Sequence, residues 1–541
     1  MGVLPFSRRP VNPALSPGFL PSVRAILAAA WIVSEGWAAS VAFAADSGLP
    51  QSGDPAAVLR GSQLARTYCV TCHLFPEPDA LDRNTWFQQV LPRMKYRLGF
   101  STPELEQSAN IRILRENRRI PTTPAITEAQ WLDLAAYYLA NAPEQSLPPP
   151  ASSPIGVGVP GFRTVVLPVS SAQPSVTAVK ILAAGGALMA DAANRSVVTV
   201  GRDGQASSTL AVSNSISAFR QYPDGILSAG LGSFLPSDER LGSVFWMTNA
   251  SRWLRGAEVL TGLPRTTDAN RADLNADGRG DYVVSCFGNN VGRLSWWESR
   301  SDGSLAEHEL FPLPGTLRTE IGDFNGDGHP DIAALVAQET EALFLFRGNG
   351  HGAFERTTVY QRPPYWGHSY FEVADFNRDG RQDFLVTNGD NGEFSSPSKR
   401  YHGVRIYLSQ AGGQWTESLF FPMYGAYRAV ARDFDGDGDL DVAAISYFTD
   451  YQRMPRGSFV LLRNEGAGKF QASTFAESAT GRWLAMDAGD FDGDGDDDLL
   501  LGSYIQGPTP VPTFLMETWQ SAQRPLLLLE NLRQSMPSTK P

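Results

Sequence analysis

Hydrophobic and polar positions follow two different rhythms along this chain, and the change falls between residues 145 and 162. In residues 45–145 the pattern is helical. Gly61, Leu64 and Tyr68 lie on one face of a stretch leading into Cys69. A second helix is predicted from Thr127, whose hydroxyl can cap it with Gln130 in the reciprocal position, and it carries Trp131, Leu134, Tyr137, Tyr138 and Leu139. Residues 146–161 turn to Pro, Ser and Gly, with Pro148-Pro149-Pro150 among them, and read as a semi-stiff linker. From 162 to 534 short β-rich runs alternate with Gly, Asn and Asp turns.

Those runs are organised by a nine-residue acidic phrase. It occurs at Asp273–Asp281, Asp323–Asp331, Asp375–Asp383, Asp433–Asp441 and Asp490–Asp498, with starts 50, 52, 58 and 57 residues apart. An apolar strand follows each copy, as in Ile332-Ala333-Ala334-Leu335 and Val442-Ala443-Ala444-Ile445. Units of about 50 residues with four strands each indicate propeller blades. Two earlier units, with Ala187–Ala190 and Ile226–Gly230 read as inner strands, lack the full acidic set in the turns Asp191–Asn194 and Pro223–Gly225. The expectation is a multidomain chain, a small all-α domain followed by an all-β propeller of seven blades. Six or eight blades stay open, and a linear β-solenoid is the rival architecture.

The phrase has the chemistry of a cation cage. Carboxylates or amides at positions 1, 3, 5 and 9 converge on one point, a glycine at position 6 (Gly495 in the last copy) bends the loop, and the position-7 carbonyl adds a ligand. The candidate ligands are Asp273, Asn275, Asp277, Arg279 and Asp281; Asp323, Asn325, Asp327, His329 and Asp331; Asp375, Asn377, Asp379, Arg381 and Asp383; Asp433, Asp435, Asp437, Asp439 and Asp441; and Asp490, Asp492, Asp494, Asp496 and Asp498. The Arg, His and Asp at position 7 would serve through their backbone carbonyls. Up to five Ca²⁺ are expected. The net charge of −12 argues against nucleic acid, and much of it lies in these loops, where the four side-chain positions hold 17 Asp and three Asn.

The N-terminus reads as an export signal over residues 1–44, with Arg8, Arg9 and Arg24 before an apolar run and Ala42-Phe43-Ala44 as a cleavage site. A retained membrane anchor is the alternative, and only then is a membrane a partner. Periplasmic, secreted or cell-surface placement follows, and residues 535–541 form a short tail. With three cysteines in the chain, the fold is not built on disulfides. Cys286, in a strand-like run, is expected to be buried.

Cys69-Val70-Thr71-Cys72-His73 is the attachment signature of one covalent haem c. Two thiols add across the vinyl groups, and the adjacent His73 ligates iron. Zinc would want a second ligand pair and a redox CxxC a βαβ context; this stretch offers neither. Met94 is the sole Met between residues 46 and 150 and is the candidate sixth ligand, on a loop after Pro92 breaks a helix. A core Met would look the same, and Lys95 is another candidate.

The first unit resembles a class I cytochrome c. In that family a glycine on the first helix lets the last helix cross closely, and Gly61 and the Tyr137/Tyr138 pair match those parts. Phe491-Asp492-Gly493-Asp494-Gly495 and its relatives resemble the FG-GAP/VCBS repeats of integrin α-subunit propellers, in which the Asp-rich loop joins the first two strands of a blade and binds Ca²⁺. Together the resemblances imply an exported electron-transfer protein on a calcium-binding recognition or scaffold platform. Its redox partner protein is unidentified, and the propeller would take a glycan or protein ligand, with Trp296-Trp297 and Tyr447–Tyr451 as candidate aromatic contacts. The alternative is a periplasmic oxidoreductase with a substrate site on the propeller, where His368 is the most site-like residue, and the haem as electron outlet. Pure adhesion is a third reading.

Overall fold

The computed structural model describes residues 54–151, 154–234, 236–250, 253–392, 399–454 and 456–533. The expected leader and tail lie outside them. Among the described residues, no helix is long and apolar enough to cross a membrane.

The helical unit begins with Pro55–Tyr68. The Asp54 side chain caps it by accepting from the Ala56 amide, and Pro55 takes a first-turn position where its missing N–H costs nothing. Glu128–Asn141 ends the unit, with both halves of the Thr127/Gln130 capping box formed. The two helices cross at Gly61. A Cβ there would stand 1.9 Å from the Asp133 carbonyl oxygen and 2.9 Å from the Tyr137 Cβ, so the crossing demands glycine. Arg60 grips the Asp133 carboxylate beside it at 2.7 and 2.9 Å. Trp86, Trp131 and Tyr138 fill the core underneath.

The segment around Met94 departs from the expectation. Arg83–Thr85, Trp86–Val90 and Leu91–Arg97 run on as one helical stretch whose middle widens into a π-turn. Pro92 does not break it. It sits in the first turn after the widened one, where the backbone has room for the ring and no regular hydrogen bond is lost. Met94 is therefore on a helix, not a loop. Its partly buried side chain packs on the same core that holds Cys69, Trp86 and Tyr138.

Seven sheets follow, among the described residues, each with four antiparallel strands, which in six of them are consecutive in the chain. Neighbouring blades meet along their first strands (such as Thr266–Ala272, Thr316–Gly322 and His368–Ala374), which makes those the innermost. The second strands, for example Asp331–Val336 and Asp441–Ser446, are buried along their whole length because both faces lie between blades. That is why they read as continuous apolar runs. Blade seven takes its outermost strand, Phe162–Val165, from the N-terminal side, paired to Leu526–Asn531, and its first strand packs on that of blade one. This closure rules out the solenoid.

Ala187–Asp191 and Gly225–Gly230 are inner strands, each the second of four in its sheet. Two smaller points differ from the sequence reading. The turn Asp191–Asn194 joins second to third strand, at the opposite end of the blade from the acidic loops. Within the linker, Gly156–Val157 pairs in parallel with Ser473 and Thr474, adding a fifth strand to blade six.

Candidate functional site: a Cys-Cys-His turn and five acidic loops

Cys69 ends the first helix and opens a 3-10 turn, Cys69–Thr71, that carries the chain to Cys72 and His73. Both thiols are free, Cys69 partly buried and Cys72 exposed. The His73 Nδ1 lies 2.9 Å from the Leu74 carbonyl oxygen, which makes Nδ1 the protonated nitrogen and leaves the Nε2 lone pair unengaged. Burial holds the imidazole below its usual range and so favours the neutral, ligating form. Partly buried Tyr68, Phe75, Phe87, Val90, Met94 and Phe100 rim the core beside Cys69. Lys95, the other sixth-ligand candidate, is spent on Glu128 at 2.6 Å and lies over the rings of Phe100 and Trp131.

Each acidic loop joins the first and second strands of its blade, in blades three to seven. The position-1 carboxylate turns back onto the loop's own amides: Asp433 accepts from Gly436 at 2.7 Å and Gly438 at 3.0 Å, and Asp490 from Gly493 at 2.6 Å and Gly495 at 3.2 Å. Position 4 also adopts a left-handed backbone (φ 89° at Gly493, 60° at Ala276, 57° at Arg378), as does Gly495 at position 6 with φ 97°. The position-9 aspartate is buried in every loop. One of its oxygens accepts the position-2 amide and the other an amide of the third strand, as Asp498 does from Phe491 at 2.9 Å and Asn531 at 2.8 Å. Burial, added to by the neighbouring loop carboxylates, pushes Asp441 up to about 6 and Asp498 up to about 7. A cation among these oxygens would favour the charged forms instead.

The five loops are not equivalent. Three carboxylate oxygens converge within 4.8 Å of one another at Asp433, Asp435 and Asp437, and again at Asp490, Asp492 and Asp494. In the first three loops an Asn holds position 3, and Asn325 and Asn377 donate to Asp327 and Asp379 at 2.9 and 2.8 Å. Arg279 and Arg381 at position 7 swing onto Asp277 and Asp379, occupying a carboxylate that a cation would need.

Other candidates resolve into structural roles. His368 is enclosed: its backbone N–H donates to Glu341 at 2.9 Å, and its ring meets Glu341, the Val336 carbonyl and the Tyr360 hydroxyl. Trp296, Tyr447, Phe448 and Tyr451 are buried, and so is Cys286, whose thiol burial pushes up to about 11. Two features went unread in the sequence. The innermost strands carry a charged network, in which Arg220 binds Asp268 at 2.9 Å and Glu320 at 2.8 Å; its signal was charges at the third position (Asp268, Arg318) or the fifth position (Arg220, Glu320) of these strands. Contacts between the helical unit and blades three to five had no local signal at all.

A family model described as an FG-GAP-like repeat matches residues 273–334, 323–386 and 433–501. No curated protein matches the chain. Among solved structures, a virginiamycin B lyase from Staphylococcus aureus is similar at 10% identity, over 68% of this chain and 98% of that one, with a TM-score of 0.43. BBS1N, solved in complex with ARL6DN, is similar at 11% identity, over 70% of this chain and 98% of that one, with a TM-score of 0.41. The repeat matches fall on blades three, four, five, six and seven, and the chain carries FG-GAP-like repeats on a seven-bladed β-propeller.

Proposed function

We propose that this chain is an exported c-type cytochrome that transfers electrons and is carried on a calcium-binding propeller. The observation that carries the reading is the His73 ring: its Nδ1 is tied to a backbone carbonyl, so Nε2 is the nitrogen offered to a metal, next to two free thiols. The partly apolar rim beside Cys69 supports it, since a flat macrocycle would cover side chains that are half-buried without one. So does the close crossing at Gly61. When bound, haem c supplies one-electron chemistry at a potential set by its axial ligands and surroundings. Cys69 and Cys72 would hold it, His73 would ligate on one face, and Met94 is the candidate for the other. Attachment to thiols belongs outside the cytoplasm, in keeping with a periplasmic or cell-surface protein.

The propeller's part is recognition or scaffolding, stiffened by Ca²⁺. The acidic loops at Asp433 and Asp490 are the strongest sites, because ligand charge sets affinity in such cages. His368, the residue that would carry an enzyme reading, is buried and spoken for. Expression in a host competent for haem maturation, followed by denaturing electrophoresis with haem staining, tests the proposal. The wild type is expected to stain and Cys69→Ser/Cys72→Ser to stay colourless. An unstained wild type would refute the haem.

A further inference from the structure

We propose that the propeller supplies a residue that tunes the haem iron: Glu339, held between Arg97 and Arg119, sets the reduction potential from outside the helical unit. The inference rests on the reading of His73 as iron ligand. It starts from what the propeller grips. Asp79, six residues beyond His73, pairs with Arg400 of blade five at 2.8 Å, and Tyr365 meets the backbone of Glu77. Asn110 approaches Asn290 of blade three at 3.4 Å. The segment that follows the attachment turn is therefore seated on the propeller face opposite the acidic loops.

Glu339 is the centre of this contact. It stands on the turn between the second and third strands of blade four, and its two oxygens are divided between the helical unit's arginines: Oε1 to Arg97 and Oε2 to Arg119, each at 2.8 Å. All three side chains are 22–30% exposed, which screens them less than a surface pair. The turn itself is fixed. Gln338 and Glu341 adopt left-handed backbone (φ 61° and 41°), and Glu341 is anchored on buried His368 at 2.8 Å. The enclosed histidine thus has a use as the post behind Glu339. Arg97 lies one turn beyond Met94, the candidate sixth ligand, on the helix Leu91–Arg97, so the Glu339–Arg97 pair is fastened to the element that would face the iron.

The electrostatics give a signed expectation. Ferric haem carries one more positive charge than ferrous haem, so a nearby carboxylate favours the ferric state and a guanidinium the ferrous. Glu339 is a positioning and tuning residue, without contact to the reacting atoms.

The test is spectroelectrochemical titration of the full-length protein and three single variants, with pyridine-haemochrome assay of the same samples. Glu339→Gln is expected to raise the midpoint potential, and Arg97→Gln and Arg119→Gln to lower it, with covalent haem content unchanged. All three substitutions break the same ion-pair cluster, so a merely structural contact would move the potential in one direction for all of them. Shifts of one sign, or no shift in any variant, overturn the inference. A wild type without covalent haem brings down the functional reading itself, and this inference with it.

Discussion

Gly61 offers the sharpest single-residue test of the helical unit. Its missing Cβ would overlap the Asp133 carbonyl, and Gly61→Ala must push the first and last helices apart. A loss of about 3 kcal/mol is expected, at the upper end for overpacking, read by urea denaturation of the helical signal. Asp268 provides a second test. Burial opposes its ionisation, yet Arg220 and Arg318 beside it prevail and hold the carboxyl below its usual range. A carboxyl depressed on folding stabilises above its unfolded value of about 3.9 and loses that contribution as pH falls through the folded value. The wild type should therefore weaken steeply at acid pH, and Asp268→Asn should be less stable at neutral pH with a flatter acid limb in pH-dependent melts. At this scale the sequence is legible where chemistry is local. Gly61 could be read directly, because a crossing that demands a missing side chain is visible in the letters. The letters put Met94 on a loop and not on its helix, because a π-turn that accommodates Pro92 leaves no mark in composition. Glu339 was invisible for another reason: Arg119 lies 220 residues away.

Among the elements, the acidic loops divide by charge. Those of blades six and seven bring three carboxylates together, whereas those of blades three and five turn an arginine onto their position-5 aspartate. Calorimetric titration of the apo-propeller with Ca²⁺ should resolve two tight sites before the weaker ones. Asp494→Ala should remove one tight site. Arg381→Ala should strengthen the blade-five site by freeing Asp379. Equal affinities at all loops, or no binding in any, would count against this ranking. The register of the repeats told where the loops are and which strand follows each. It did not tell their rank, because that depends on where long side chains such as Arg279 and Arg381 turn.

The whole molecule is a ring closed by a strand from its own N-terminal side. Phe162–Val165 completes blade seven, and Gly156–Val157 extends blade six, so the stretch expected to be only a linker ties the helical unit to the propeller. A fragment beginning at residue 154 should melt cooperatively and lose stability on chelation, by about 2.7 kcal/mol per site held at a hundredfold excess over its Kd. A fragment beginning at residue 168 leaves Leu526–Asn531 as an open edge and should melt lower or aggregate. Blade number was legible from repeat length. The closure was not, since the strand that makes it precedes the first blade and has no acidic loop beside it. Electron transfer through a covalent haem is put to the test by an optical redox titration of the full-length protein. One haem is expected that resists acid–acetone extraction and follows a reversible one-electron curve without added substrate. A protein with no haem spectrum, or with haem that is extracted by the solvent, would contradict it.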